Sequence, residues 1–513
     1  MTNQSLQHQL EYLRKDLMHP LFHSMLVNSS SRDPTLKFIA EVLHRNEKRA
    51  QLQMNERQLA GDGFMINLLS VLQLLSVKIK RDKIDPYYLF HPETLIPLKD
   101  ETRLKFTNAD AEKWLKDLSS NSSFQWQDPK FTTQCFFLAL YCHHLSINPC
   151  HRKYTRRIRA IRELNRFADE LSQSESLFAL LPAMAQRHQM AVRRYREQAK
   201  KLHKAKVCAE AGLLDEKLLS RTFQFYNQFI GFLLKTINCD DYTLISLPLP
   251  EKVPELFAAY PDWFIEDIAD FLLFVIQYQP NVVESNVSQD LIVFLIVLIC
   301  SPHYISNPYL VAKLIEVIYI TSPTLHHYTE MFHLQILSHL LSEVHLARSL
   351  MKFYTDIEST GASSEFYDKF TIRYHISIIF KSLWINPIHK KAIVKESNCG
   401  KHFVRFVNML MNDTTFLLDE SMESLKRIHE IQEEMKDTEK WNNQNREHQQ
   451  SRQRQLATDE RQCRSYLTLA SETVDMLHYL TEAIQEPFLR PVSFLLYSKF
   501  YQVIHYFIIL GTR

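Results

Sequence analysis

Apolar residues recur at three- and four-residue steps over long stretches of this chain, the spacing that lines one side of an α-helix. On that pattern helices are predicted over roughly residues 34–60, 63–80, 131–146, 152–172, 183–211, 215–237, 262–278, 287–300, 308–321, 335–358, 364–384, 401–440 and 449–485. Asp33-Pro34, Asp85-Pro86, Asp128-Pro129, Asn148-Pro149, Ser301-Pro302, Asn307-Pro308, Ser322-Pro323 and Asn386-Pro387 each set a capping oxygen before a proline. The oxygen accepts an orphan N–H, and proline at the first helical position gives up a donor the helix cannot use.

Residues 262–322 read as three short helices joined by short loops, the texture of an irregular α-solenoid with armadillo-like helical repeats. No clean repeat period emerges. Between residues 401 and 485 the pattern lengthens. Phe403, Val407, Leu410, Leu417, Leu425, Ile428 and Met435 trace one stripe, and Leu456, Cys463, Leu467, Ala470, Val474, Leu477 and Leu480 trace a second. The polar link 441–446 lies between them, so a long antiparallel helical hairpin is predicted. The first half of its second helix is almost wholly polar and is expected to project from the body. Ile372, Ile376, Phe380 and Trp384 step by four and are expected to share one buried side.

Composition narrows the class. The chain has 513 residues, 45% hydrophobic and 12% aromatic, enough apolar surface to offset the entropy of ordering. Only seven glycines occur, against an average of about 7% of residues. Tight turns and phosphate-cradling loops depend on glycine, so nucleotide-binding loops and β-meanders are disfavoured and the fold class is all-α. A net charge of +2 provides no global field for nucleic acid or membrane. Cys135, Cys142, Cys150, Cys208, Cys239, Cys300, Cys399 and Cys463 show no CxxC spacing and read as reduced thiols, mostly buried, suiting a cytoplasmic or nuclear compartment. The N-terminus has no signal-peptide apolar region, and the apolar run 291–300 is half a bilayer span, so it reads as a core helix.

Candidate chemistry is sparse. Cys135, Cys142, His143, His144, Cys150 and His151 invite zinc, but Cys135 and Cys142 sit two turns apart on an apolar face, and zinc pairs need about two to four residues. Core packing is the reading, with no cofactor expected. No G-x-S-x-G elbow or Cys–His signature marks a nucleophile, so no catalytic residue is assigned. Residues 151–166 and 187–206 form two strongly cationic helices, and Arg156, Arg157, Arg159 and Arg162 are the candidate partner-binding residues. A solvated helical face is the default for such charge. An acidic protein partner and nucleic acid are the alternatives. Tyr154 and Tyr195 are the only aromatics in these runs, few for a nucleic-acid surface.

Two blocks carry a family resemblance: residues 412–435, NDTTFLLDESMESLKRIHEIQEEM, and 365–384, EFYDKFTIRYHISIIFKSLW. FHSMLVN, DGFMINLLSVLQLLS, RAIRELNR, AGLLDE, FIEDIADFLLFVIQYQP and NPYLVAKLIEV follow the same family in order. Together they resemble the helical core of the chain-elongating ubiquitin conjugation factors, the fourth enzyme class after activating, conjugating and ligating enzymes, and the B-type animal members in particular. The resemblance covers about residues 17–491. It implies a helical core at residues 1–491 and a ubiquitin-protein transferase that lengthens chains on ubiquitinated substrates and feeds proteasomal degradation in cytoplasm and nucleus. In that family a U-box recruits the charged ubiquitin-conjugating enzyme. The core would bind ubiquitinated substrates, proteasome shuttle factors and an AAA-type unfoldase.

After residue 491 the resemblance stops. The divergent apolar tail 492–513 takes its place, and the U-box is expected to be absent, leaving the chain inactive alone. The alternative function is a core-only interaction protein that binds the same partners without transferring ubiquitin. Lys499, near the middle of the tail, costs about 2.5–3.5 kcal/mol in a bilayer, against roughly 0.3–0.6 gained per large apolar residue. The tail is therefore expected to stay outside both membrane and packed core and to lower solubility.

Overall fold

Periodic apolar stripes and scarce glycine are realised as a predominantly helical fold in the computed structural model, which describes residues 3–51, 55–96, 98, 101–173, 182–360, 366–399 and 401–484. Among these residues there is no strand, only an isolated bridge between Arg103 and Pro261. The all-α class holds. Two compact units divide the chain. The first takes the described residues of Met1–Ile245, Glu251–Phe294 and His303–Leu310; the second takes those of Ser246–Pro250, Leu295–Pro302 and Val311–Arg513.

In the first unit, α1 (Asp62–Ser76) packs on α2 (Phe131–Leu145), and α2 packs on α3 (Ile147–Gln173). Every residue of α2 from Cys135 onward is buried, as a helix apolar on all sides requires. The next helices are α4 (Pro182–Leu213), α5 (Glu216–Thr236) and α6 (Trp263–Tyr278). Phe136 of α2 stacks on Phe225 of α5 at 5.3 Å, and Phe229 meets Phe264 of α6 edge-on at 4.9 Å. Each such buried ring contributes roughly 1.5–3 kcal/mol. Gly231 on α5 lies beneath the Arg81–Asp290 ion pair, itself 2.8 Å long, so a Cβ there would force the exposed Arg81 guanidinium to shift.

The expected core run belongs to α7 (Gln289–Cys300), where Leu291 through Cys300 are no more than 4% exposed. Among the described residues no single helix is long and apolar enough to cross a membrane.

Proline punctuation is borne out in part. Asn307 and Asn386 each accept a backbone N–H at 3.0 Å just before helices that begin at Pro308 and Pro387. Pro34, by contrast, lies inside the helix Ser29–Arg45, whose cap is Asn28, and Pro149 lies inside α3. Pro149, at the third helical position, has no intrahelical partner to lose; Pro34, at the sixth, forfeits one bond to the Ser30 carbonyl, and that helix still starts upstream because Asn28 caps it. Asp85-Pro86 makes a turn instead, with Asp85 accepting from the Tyr87 N–H at 2.9 Å.

In the second unit, α8 (Phe366–Ile385) packs on a hairpin of α9 (Lys401–Lys436) and α10 (Arg446–Ala483). Partner numbers fall on α10 as they rise on α9, which is antiparallel register. Ser421 O accepts from Cys463 Sγ at 3.8 Å, Arg427 meets Asp459 at 3.1 Å, and Glu434 meets Arg452 at 2.8 Å. Phe370, Leu417, Leu418, Tyr466 and Ala470 form the apolar cluster between the three helices. Buried Arg373 ties α8 to α9 through Asp413 at 2.7 Å, whose other oxygen accepts from Tyr354 Oη at 2.7 Å. Ile372, Ile376 and Phe380 are buried as expected, but Trp384 is half-buried, its ring 5.1 Å from Tyr479 with the Lys390 ammonium over it. The tail 492–513 lies outside the described residues, and so does everything expected of it.

Candidate docking surface

The two cationic segments fold as one antiparallel hairpin, α3 against α4. Its register is set by Tyr154 Oη donating to Glu210 at 2.7 Å, Arg157 Nη1 donating to Ala205 O at 3.2 Å, and Phe167 facing Tyr195 at 6.4 Å. The seam is thin. Beyond Tyr154 the only fully buried residue described on α3 is Ala168, and Ala199 plays that part midway along α4. Ile158, Ile161, Leu164, Val192 and Leu202 are only half-buried.

The root is stronger. Arg49, 2% exposed, reaches Asp62 at 2.6 Å, Leu145 O at 2.8 Å and Ala60 O at 2.6 Å, while Lys153 of α3 reaches Asp62 at 3.0 Å. Burial alone would raise the Asp62 carboxyl, but hydrogen bonds from Arg49 and Lys153 outweigh it and hold the group below its ordinary range.

Three of the four predicted arginines share a face. Arg156, Arg159 and Arg162 are exposed on the side of α3 turned away from α4, whereas Arg157 is half-buried and committed to the Ala205 carbonyl. The larger cationic surface lies on α4, where Arg187, Arg193, Arg194, Arg196, Lys200, Lys201 and Lys204 are all exposed. α3 carries seven Lys and Arg against three Asp and Glu, and α4 carries eight against two, in a chain whose net charge is +2. Most of those carboxylates are already paired: Glu170 with Arg166, Glu197 with Arg193, Asp169 with Arg196 and Glu210 with Lys206. Charge density in the sequence pointed to the hairpin; it could not say which arginine turned inward.

The zinc candidates are core residues. Cys135, Cys142 and Cys150 are buried, and burial pushes each thiol up to about 12. His143 stacks on Phe225 at 4.3 Å with Nδ1 at 2.7 Å from Ala139 O. His144 Nδ1 lies 2.8 Å from Asp267, and the His151 ring lies flat on Phe274 at 3.5 Å. Burial pushes His143 and His151 down to about 3, so both are neutral at physiological pH. Among the described residues no group of three His, Cys, Asp or Glu side chains could hold a metal ion. Cys300 is likewise pushed up to about 12 and Cys239 to about 11, so these buried thiols are poor nucleophiles.

Comparison with known proteins supplies the context. Residues 1–495 match the model of the family described as ubiquitin elongating factor core. The chain is 29% identical to the probable ubiquitin conjugation factor E4 of Arabidopsis thaliana, over 92% of its own length and 48% of that protein's. Against the ubiquitin conjugation factor E4 of Schizosaccharomyces pombe it is 30% identical over 92% and 47%. Against an E4 ubiquitin-protein ligase of Saccharomyces cerevisiae it is 28% identical over 90% and 51%. The chain thus spans about half the length of the curated relatives it matches. With the match running through both helical units, the chain belongs to the ubiquitin elongating factor core family.

Proposed function

We propose that this helical core serves ubiquitin chain elongation as the binding half of the reaction. The observation that carries the reading is the family match over residues 1–495, joined to described thiols that are mostly buried with raised pKa values. In such a division the acceptor lysine amine attacks the thioester carbonyl of ubiquitin on a conjugating enzyme. The isopeptide C–N bond forms, the C–S bond breaks, and the conjugating enzyme's thiol leaves. The core needs no covalent intermediate of its own; it holds the ubiquitinated substrate near the charged enzyme, a proximity effect. Clients would pass to the proteasome through shuttle factors and an AAA-type unfoldase, in cytoplasm and nucleus. Cell fractionation of the tagged chain tests the compartment.

One assay tests the activity and separates it from the second reading, a protein that binds the same partners without transfer. The chain is added to a monoubiquitinated substrate with activating enzyme, charged conjugating enzyme, ubiquitin and ATP. Longer chains on the substrate support elongation. No lengthening, together with slowed elongation by the full-length fission-yeast relative, supports the binding-only protein. An effect on neither reaction overturns both.

A further inference from the structure

The outer face of α4 sets six exposed Lys and Arg against one carboxylate, and the ubiquitin reading gives it no task. Arg187, Arg194 and Lys201 recur every seven residues, so they stand in a row at intervals of about 10.5 Å. Arg193, Lys200 and Lys204 form a second row beside it, and Glu197 is the one carboxylate between them. The double row runs about 26 Å. Glu197 is already engaged by Arg193 at 2.9 Å, and among the described residues no carboxylate pairs with Arg187, Arg194, Lys200, Lys201 or Lys204. A cleft of about 400 Å³ opens along the inner edge of the row, bordered by His188, Val192, Arg193, Arg196, Glu197 and Lys200.

From this geometry we infer that the outer face of α4 docks an extended acidic tract of a partner protein. An extended chain rises about 3.3 Å per residue, so carboxylates two residues apart fall about 6.6 Å apart on one side and can engage both rows in succession. The cleft offers a side-chain seat within reach of Arg193, Arg196 and Lys200. A partner helix is disfavoured because the face has no apolar seam; between Arg187 and Lys204 Met190 is the one exposed large apolar residue. Single-stranded nucleic acid binds through aromatic stacking as well as charge. Tyr195, the aromatic within this basic run, is half-buried and turned toward Phe167 of α3 instead.

The test uses the whole chain and two fluorescent probes, a twenty-residue polyglutamate peptide and a twenty-nucleotide poly(U) RNA, by anisotropy in 50 and 200 mM salt. Polyglutamate is expected to bind, at least tenfold more weakly at the higher salt and more tightly than the RNA. The triple variant Arg194→Glu, Lys200→Glu, Lys201→Glu should weaken it tenfold or more. The pair Arg159→Glu, Arg162→Glu on α3 should change it less than twofold. A triple glutamine variant at the same α4 positions, with helicity unchanged by circular dichroism, must reproduce the loss if charge and not folding is its cause. No polyglutamate binding, tighter RNA binding, or equal losses from the α3 and α4 variants would each overturn the inference. None of these outcomes depends on chain elongation.

Discussion

Two long antiparallel hairpins, α3/α4 in the first unit and α9/α10 in the second, are built from similar lengths of amphipathic helix yet differ in what holds them. α9 and α10 carry five Lys and Arg against seven Asp and Glu, and five against six, so opposite charges meet across the pair as Arg427–Asp459 and Arg452–Glu434. Their seam contains Leu410, Leu417, Tyr466 and Leu480, all buried. α3 and α4 have a seam of alanines and half-buried aliphatics, with an excess of one charge outside it. Like charge costs the folded hairpin self-repulsion that a partner could relieve. Charge is compensated within α9/α10, whereas on α3/α4 the excess of one sign faces outward over a thin seam.

The largest effect should come from breaking the buried side of that contrast. Arg373→Met strips Asp413, whose carboxyl burial already raises to about 6, of the cation that holds it down, so the buried carboxyl between α8 and α9 loses its partner, a change expected to cost about 3–5 kcal/mol. Arg157→Met on α3 loses one half-buried hydrogen bond, about 1 kcal/mol. Denaturant midpoints of the two variants compare them directly, and equal losses would erase the distinction.

Acid should act next, at the root of α3. His143 and His151 are pushed from 6.5 to about 3 by burial. The unfolded chain therefore takes up those protons first, and stability present above pH 6.5 is lost as pH falls toward 3. The slope is roughly 1.4 kcal/mol per pH unit for each histidine. Unfolding of the first unit at pH 7, 6 and 5 measures it. His151→Phe, keeping the stack on Phe274, should flatten the slope by one histidine's share. An unchanged slope would mean His151 is protonated in the folded state.

The smallest effect concerns local opening. Amide hydrogens midway along α4, around Ala199, should exchange at least tenfold faster than those around Tyr466 on α10, because fewer buried contacts must break. Raising salt should slow exchange in α4 by screening its like charges and leave α10 nearly unchanged. Equal protection in both helices would show that the alanine seam is as strong as the leucine one.

Part of this was legible beforehand. Phe403, Val407, Leu410 and Leu417 lie buried along α9, and Cys463, Ala470, Leu477 and Leu480 along α10, as their spacing required. Leu425, Ile428 and Met435 are only half-buried, because in this part of α9 Ser421, Ser424 and Ile431 take the fully buried positions. Small serines there let α10 approach, a preference that apolar periodicity does not register. The basic hairpin was visible as charge density in residues 151–166 and 187–206. Its stronger face on α4 was not, since exposure depends on which side α3 covers.

The sequence by itself determined the class of fold and the family. Scarce glycine, three-to-four-residue apolar steps and long ordered blocks are local properties, and helix formation with amphipathic burial reads them out almost directly. Tertiary structure alone decided that Pro34 and Pro149 sit within helices, that Trp384 stays half-exposed, that Arg157 turns inward, and that Arg373 and Asp413 meet. Each of those outcomes depends on a neighbour far along the chain or on a competing cap. No window of a few residues contains that neighbour, so burial and pairing become definite only when the helices are brought together.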